Sequence, residues 1–140
     1  SIITYRLVCM DKGEKMKFLH AMIRVKNIDE SMKFYTELLD LNRTGEVKLD
    51  DCVLYYLSDE DGQTQIEMTY NNDTPANGYE HGNAFGHFAF EAKSMDEFTE
   101  KMNKFGYKYL YEPYFMPEVN MYIAFLKDPD GNEIEIMAKK

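Results

Sequence analysis

Four residues stand out because both their chemistry and their spacing repeat. His20 and Glu67 lie in the first half of the chain, and His87 and Glu135 lie at nearly the same interval in the second. Two imidazoles and two carboxylates make an N2O2 donor set, which suits nickel, cobalt, zinc, iron or manganese rather than a soft metal bound by thiolates. Each residue sits in an apolar setting. Glu67 lies between Ile66 and Met68, Glu135 between Ile134 and Ile136, and each histidine opens a run of alternating apolar residues. A carboxylate in mid-strand is costly to bury unless it is paired or binds a metal. A lone strand histidine is usually structural and a lone glutamate usually solvated. Four such residues, repeated in register, point instead to a shared metal site.

The elements that must position them repeat as well. His20-Ala-Met-Ile-Arg-Val-Lys26-Asn-Ile-Asp29-Glu30 is matched by His87-Phe-Ala-Phe-Glu-Ala-Lys93-Ser-Met-Asp96-Glu97. Leu57-Ser-Asp59-Glu-Asp61-Gly62 is matched by Leu126-Lys-Asp128-Pro-Asp130-Gly131, and Ile66-Glu67-Met68 by Ile134-Glu135-Ile136. Residues 19–26 alternate, with Ala21, Ile23 and Val25 on one face, and so predict a strand. Asn27 and Glu30 resemble a helix-capping pair, and Ser94 and Glu97 form a capping box. Ile28, Met32, Tyr35, Leu38 and Leu39 then follow helical spacing, as do Met95, Phe98, Met102 and Phe105, with Gly106 as a stop signal. Strands are expected at 52–58, 64–70, 121–127 and 132–138, and Asp61-Gly62 and Asp130-Gly131 read as hairpin turns.

Each half is therefore strand, helix, then about three strands, an α+β fold of two βαβββ repeats (18–70 and 85–138) forming a curved mixed sheet. The Asn- and Gly-rich stretch 71–86 reads as the linker. Alternation along a strand places His20 opposite Ala21, Ile23 and Val25, and His87 opposite Phe88, Phe90 and Ala92. All four polar residues then face away from the helices, toward the inner face of the sheet. His81 has no first-half counterpart and receives no role, and the ten methionines read as core filler.

Composition narrows the class. A chain of 140 residues, 44% hydrophobic, can bury a core as one domain. A net charge of −9 argues against a nucleic-acid surface, and no apolar run approaches the ~20 residues that span a bilayer. Residues 1–15 do not share the repeat and are expected to be an extension, not native to the fold, with the domain over 16–138. They lack the zones of a signal peptide. Two unclustered cysteines, Cys9 and Cys52, suit a reducing compartment, and the expected location is the cytoplasm.

The segments FLHAMIRVKNIDESMKFYTELL (18–39), QIEMTYN (65–71), FGHFAF (85–90) and FLKDPDGNEIEI (125–136) together resemble glyoxalase I of the vicinal oxygen chelate superfamily. The resemblance runs over roughly residues 17–138. It implies a lactoylglutathione lyase, acting on the hemithioacetal of methylglyoxal and a thiol, usually glutathione. It implies His20, Glu67, His87 and Glu135 as ligands of one divalent metal, with Glu135 favoured as the base and Glu67 as its partner. Arg24 and Asn71 match positions that hold the γ-glutamyl end of glutathione. The short chain resembles the bacterial class that prefers nickel or cobalt to zinc. The family forms homodimers in which first-half ligands of one subunit meet second-half ligands of the other.

Two departures accompany the resemblance. Well-known eukaryotic members carry basic residues near the glycine carboxylate of glutathione. Here Asn83 stands four before His87, and the other region reads Leu110-Tyr111-Glu112 with Lys108 nearby. Other functions of the same fold fit less well. Methylmalonyl-CoA epimerases usually carry Gln where Glu67 stands. Extradiol dioxygenases and fosfomycin thiol transferases use two histidines and one carboxylate. Drug-sequestering binding proteins of the superfamily typically lack the ligand set.

Overall fold

A computed structural model describes residues 15–140. The expected extension over residues 1–15 lies, but for Lys15, outside the described residues. Two compact units divide the chain between Tyr79 and Glu80.

In the first unit, β1 (His20–Arg24) leads into α1 (Ile28–Lys33), and β2 (Asn42–Lys48), β3 (Cys52–Ser58) and β4 (Gln65–Asn71) follow. They form one four-stranded sheet in the order β1-β4-β3-β2. The second unit repeats the plan with β5 (His87–Glu91), α2 (Met95–Lys104), β6 (Tyr109–Met116), β7 (Met121–Lys127) and β8 (Glu133–Lys139), in the order β5-β8-β7-β6. In each unit the first strand is parallel to the last, and the other neighbours are antiparallel. A parallel pair needs a crossover connection, and α1 or α2 with the two strands after it supplies that connection. Both units are βαβββ, as the repeat predicts.

Both helix starts follow the expected capping. The Asn27 side chain accepts from the Glu30 amide at 3.1 Å, and the Ser94 hydroxyl accepts from the Glu97 amide at 3.3 Å. α2 buries Met95, Phe98 and Met102 at helical spacing and lies against β8. It ends before Gly106, whose φ of 81° suits a residue without a Cβ. The first helix differs from the even periodicity expected of it. After Lys33 it widens into a π-helical turn over Phe34–Leu38, with the Leu39 amide donating to the Phe34 carbonyl at 3.1 Å. The widened turn buries Phe34, Tyr35 and Leu38.

The two Asp-Gly turns lie in hairpins, as expected, each joining antiparallel neighbours. The strands stop at Ser58 and Gln65 in one unit and at Lys127 and Glu133 in the other, so both loops exceed two residues. The aspartate that opens each loop organises it. Asp59 Oδ1 accepts from the Gly62 amide at 3.1 Å. Asp128 is buried, and its Oδ1 accepts from the amides of Asp130 and Asn132 at 2.9 and 2.8 Å.

Strand register sorts the side chains into two faces. In the first unit, Ile23, Val25, Leu57 and Met68 share the helix side and are buried. In the second, Leu126, Ile134, Ile136 and Ala138 do the same. The opposite face of each sheet carries the candidate ligands.

Candidate metal centre

On the open face of the first sheet, Met22 pairs with Glu67 and Arg24 with Thr69, in parallel register. His20, Arg24, Glu67, Thr69 and Asn71 therefore share one face, joined across β3 by Tyr56 and Cys52. His20 Nε2 lies 3.1 Å from Glu67 Oε2. The Tyr56 ring meets the His20 ring edge-on at 5.8 Å. The other Glu67 oxygen, Oε1, accepts from the Thr69 hydroxyl at 3.3 Å, and both residues are buried.

The second unit builds the same arrangement from the equivalent strands. Ala89 pairs with Glu135 on β8, and Phe125 pairs with Glu135 across β7. His87 Nε2 lies 3.5 Å from Glu135 Oε1, and the Phe125 ring meets the His87 ring edge-on at 5.2 Å. All four candidate ligands are thus brought into two His–Glu pairs, one per unit, each beside an aromatic ring. Among the described residues, no three of His, Cys, Asp and Glu gather as a metal-holding group. Each unit contributes two donors, not a complete set.

The geometry of each pair fits a metal. Two adjacent ligands of an octahedral ion at roughly 2.1 Å lie about 3.0 Å apart, close to the separations observed here. Imidazole nitrogen and carboxylate oxygen are the donors that a divalent first-row ion takes. Cys52 is not part of either pair. Burial, then Asp51, pushes its thiol up, away from the thiolate needed for a nucleophile or a soft ligand.

The two pairs are not equivalent. Met137 stands two residues after Glu135, where Thr69 stands after Glu67, and a thioether cannot donate a hydrogen bond. The second pair is also more open, with side-chain exposures of 39% and 16% against 30% and 11%. Sequence reasoning did not single out Thr69, although the paired comparison Glu-x-Thr against Glu-x-Met was available.

Arg24 is exposed on the ligand face, as its position predicts. Asn71 ends β4, and its amide Nδ2 donates to the Tyr79 hydroxyl at 2.9 Å. Tyr79 also reaches the Thr74 hydroxyl at 3.5 Å, and Thr74 in turn donates to the Asn71 carbonyl at 2.6 Å. Tyr79 was hidden in a stretch whose composition said only linker. His81, given no role from sequence, bonds through Nε2 to the Asp130 carbonyl at 2.7 Å and so ties that linker to the Asp128–Asn132 loop.

Fold and site together define a two-repeat α+β protein with one His–Glu donor pair in each repeat. The chain belongs to the Glyoxalase/Bleomycin resistance protein/Dioxygenase superfamily, whose family model matches residues 17–136. It is 35% identical to a lactoylglutathione lyase of Neisseria meningitidis serogroup A, over 89% of this chain and 92% of that one. It is 36% identical to a lactoylglutathione lyase of Haemophilus influenzae, over 89% of this chain and 94% of that one. Among solved structures it resembles the trypanothione-dependent glyoxalase I of Leishmania major, with a TM-score of 0.73 and 33% identity over 89% of this chain and 88% of that one. Glyoxalase I of Zea mays gives a TM-score of 0.75 at 29% identity, covering 86% of this chain and 44% of that one.

Proposed function

We propose that the chain is a metal-dependent lactoylglutathione lyase, which isomerises the hemithioacetal of methylglyoxal and a glutathione-type thiol to the lactoyl thioester. The single observation that carries this reading is the doubled His–Glu pair, at 3.1 and 3.5 Å, in a chain about 35% identical to lactoylglutathione lyases. His20, Glu67, His87 and Glu135 would hold one divalent metal, preferably nickel or cobalt. When bound, that metal supplies Lewis acidity toward the two neighbouring oxygens of the substrate.

The chain's own residues do the rest. Glu135 takes the proton from C1, and a proton is returned to C2. The C1 hydroxyl oxygen becomes the thioester carbonyl, and the C2 carbonyl oxygen becomes a hydroxyl. Electrons move only within the substrate, so no external oxidant or reductant is required. The contrast between the two pairs supports Glu135 as base. Glu67 is buried and tethered by Thr69, which suits a fixed ligand, whereas Glu135 is more open and has Met137 at the tether position. A base must reach the substrate and move its proton, and positioned base catalysis typically contributes ~10²–10⁴-fold.

Arg24 suits the γ-glutamyl carboxylate through a two-point fork. Tyr79 occupies a donor of the Asn71 amide, which leaves Asn71 Oδ1 as an acceptor for the neighbouring ammonium. Because each unit contributes only two donors, we infer a homodimer in which the first-unit pair of one subunit meets the second-unit pair of its partner. The proposed site of action is the cytoplasm. No helix among the described residues is long and apolar enough to cross a membrane.

The direct test is the rise in thioester absorbance when metal-loaded protein meets methylglyoxal and glutathione. Chelation should abolish it and readdition of nickel should restore it. A protein that binds metal yet forms no thioester with any thiol would overturn the lyase reading and favour another metalloenzyme or a binding protein of the same fold.

A further inference from the structure

The chain after β4 folds back on Asn71 through three side-chain hydrogen bonds whose direction is fixed. The Thr74 hydroxyl donates to the Asn71 carbonyl at 2.6 Å. A carbonyl only accepts and a hydroxyl carries one hydrogen, so toward Tyr79 the Thr74 oxygen is an acceptor. The Tyr79 hydroxyl donates to it across 3.5 Å, a long bond. With its own hydrogen so directed, Tyr79 can only accept from the Asn71 side chain, and Asn71 Nδ2 donates to it at 2.9 Å. The two ends of an asparagine amide are so alike in shape that packing does not orient them, and hydrogen-bond partners do. This order of donors turns Nδ2 toward Tyr79, and among the described residues Asn71 Oδ1 accepts from none.

Asn71 lies on the ligand face of the first sheet. It follows Glu67 and Thr69 at alternate positions of β4, and Thr69 stands opposite Arg24. Asn71 is therefore one pleat repeat, roughly 7 Å, beyond the level of Arg24. Closing the loop does not require the Tyr79 hydroxyl. The Thr74 amide and hydroxyl both reach the Asn71 carbonyl, and Gly78, at a φ of 83°, donates its amide to the Pro75 carbonyl at 2.9 Å. The contact from Tyr79 to the side-chain amide is additional to that turn, and its consequence falls on the amide alone.

We propose that Thr74 and Tyr79 are positioning residues that set the polarity of Asn71, so that its outward oxygen accepts from an amine and thiols lacking that amine are disfavoured. This rests on the lyase reading given above, in which Arg24 and Asn71 meet the γ-glutamyl end of the thiol. Arg24 answers the carboxylate whatever the state of Tyr79. Only the ammonium contact depends on the order Thr74, Tyr79, Asn71. A hydrogen bond from a charged donor changes binding by about tenfold, and an amide free to turn its nitrogen outward forfeits most of that.

The test measures binding of two ligands to the metal-loaded protein by calorimetry, without turnover. One is S-hexylglutathione. The other is the same conjugate with glutaryl in place of γ-glutamyl, which lacks only the ammonium group. The expected preference for S-hexylglutathione is about tenfold. Tyr79→Phe and Thr74→Val should each reduce it to about two- to threefold, through weaker binding of the ammonium-bearing ligand alone. Thr74→Ser keeps the hydroxyl and should keep the preference. The Thr74→Val result is the sharper one, because that side chain never touches the Asn71 amide. A loop that merely loosens would weaken both ligands equally, and that outcome overturns the proposal. So does equal binding of the two ligands to the unaltered protein, or a preference that survives Tyr79→Phe. Thioester formation from methylglyoxal and glutathione, with the preference unchanged in both variants, sinks this inference and leaves the lyase reading intact. Absence of thioester, with a preference that Tyr79→Phe and Thr74→Val both reduce, sinks the lyase reading and leaves the orientation of Asn71 standing.

Discussion

Thr69→Val should weaken metal binding about tenfold, because it removes the hydrogen bond that the Thr69 hydroxyl gives to Glu67. Valine keeps the β-branched shape, so the buried position stays filled and the strand keeps its preferred rotamers. The hydroxyl that donates to Glu67 Oε1 at 3.3 Å is lost. A hydrogen bond to a charged group contributes about 1.5–3 kcal/mol. The separation observed here is long, which argues for the lower end, and about 1.4 kcal/mol is a factor of ten in a binding constant. Removing an outer-shell partner of a ligand typically costs ~10–100-fold in metal affinity, and the low end of that range agrees. The assay is competition between the metal-free protein and a chromophoric chelator for nickel, with circular dichroism confirming an unchanged melting profile. Met137→Leu, at the equivalent site of the other repeat, removes no donor and should shift the affinity by less than about twofold. Unchanged affinity in Thr69→Val, or an equal loss in Met137→Leu, would refute the reasoning that one pair is tethered and the other is not.

Other outcomes follow from the same geometry. Glu135→Gln should retain metal while turnover falls steeply, and Glu67→Gln should be milder, since a neutral oxygen can still ligate there; metal content measured beside kcat checks both, and the reverse order would exchange the two roles. Arg24→Ala should raise KM for the hemithioacetal more than it lowers kcat, because its contact is made in the ground state and the transition state alike; Tyr79→Phe should do so less, since Asn71 keeps its own amide. Single-metal readdition after chelation should give the highest activity with nickel or cobalt, and a clear maximum with zinc would count against the short-class assignment. Sedimentation at micromolar concentration should show a dimer, and a fully active monomer would remove the shared-site arrangement while leaving the fold intact.

The parts of this protein that were legible in its sequence are those where period and repetition agree. His20 and His87 head alternating strands, Glu67 and Glu135 interrupt apolar ones, and Asn27 and Ser94 cap the helices that follow; each was readable because a twofold repeat makes any single-copy coincidence visible. The misses have a common physical origin in residues whose roles depend on side-chain partners rather than on period. The π-helical turn at Phe34–Leu38 inserts one extra residue into a turn, which the spacing of the apolar positions does not signal. Asp59 and Asp128 brace the two expected Asp-Gly hairpins, because an acceptor at the first loop position can reach amides farther along, and that bracing depends on partners rather than period. Tyr79 reaches Asn71 only because the chain after β4 turns back through Thr74. The repeat was most informative where it is broken: Thr69 against Met137 and Arg24 against Glu91 occupy equivalent positions on equivalent faces. A duplicated scaffold needs such differences if one half is to hold a ligand still while the other moves a proton, because two identical halves would give both glutamates the same freedom and the same work.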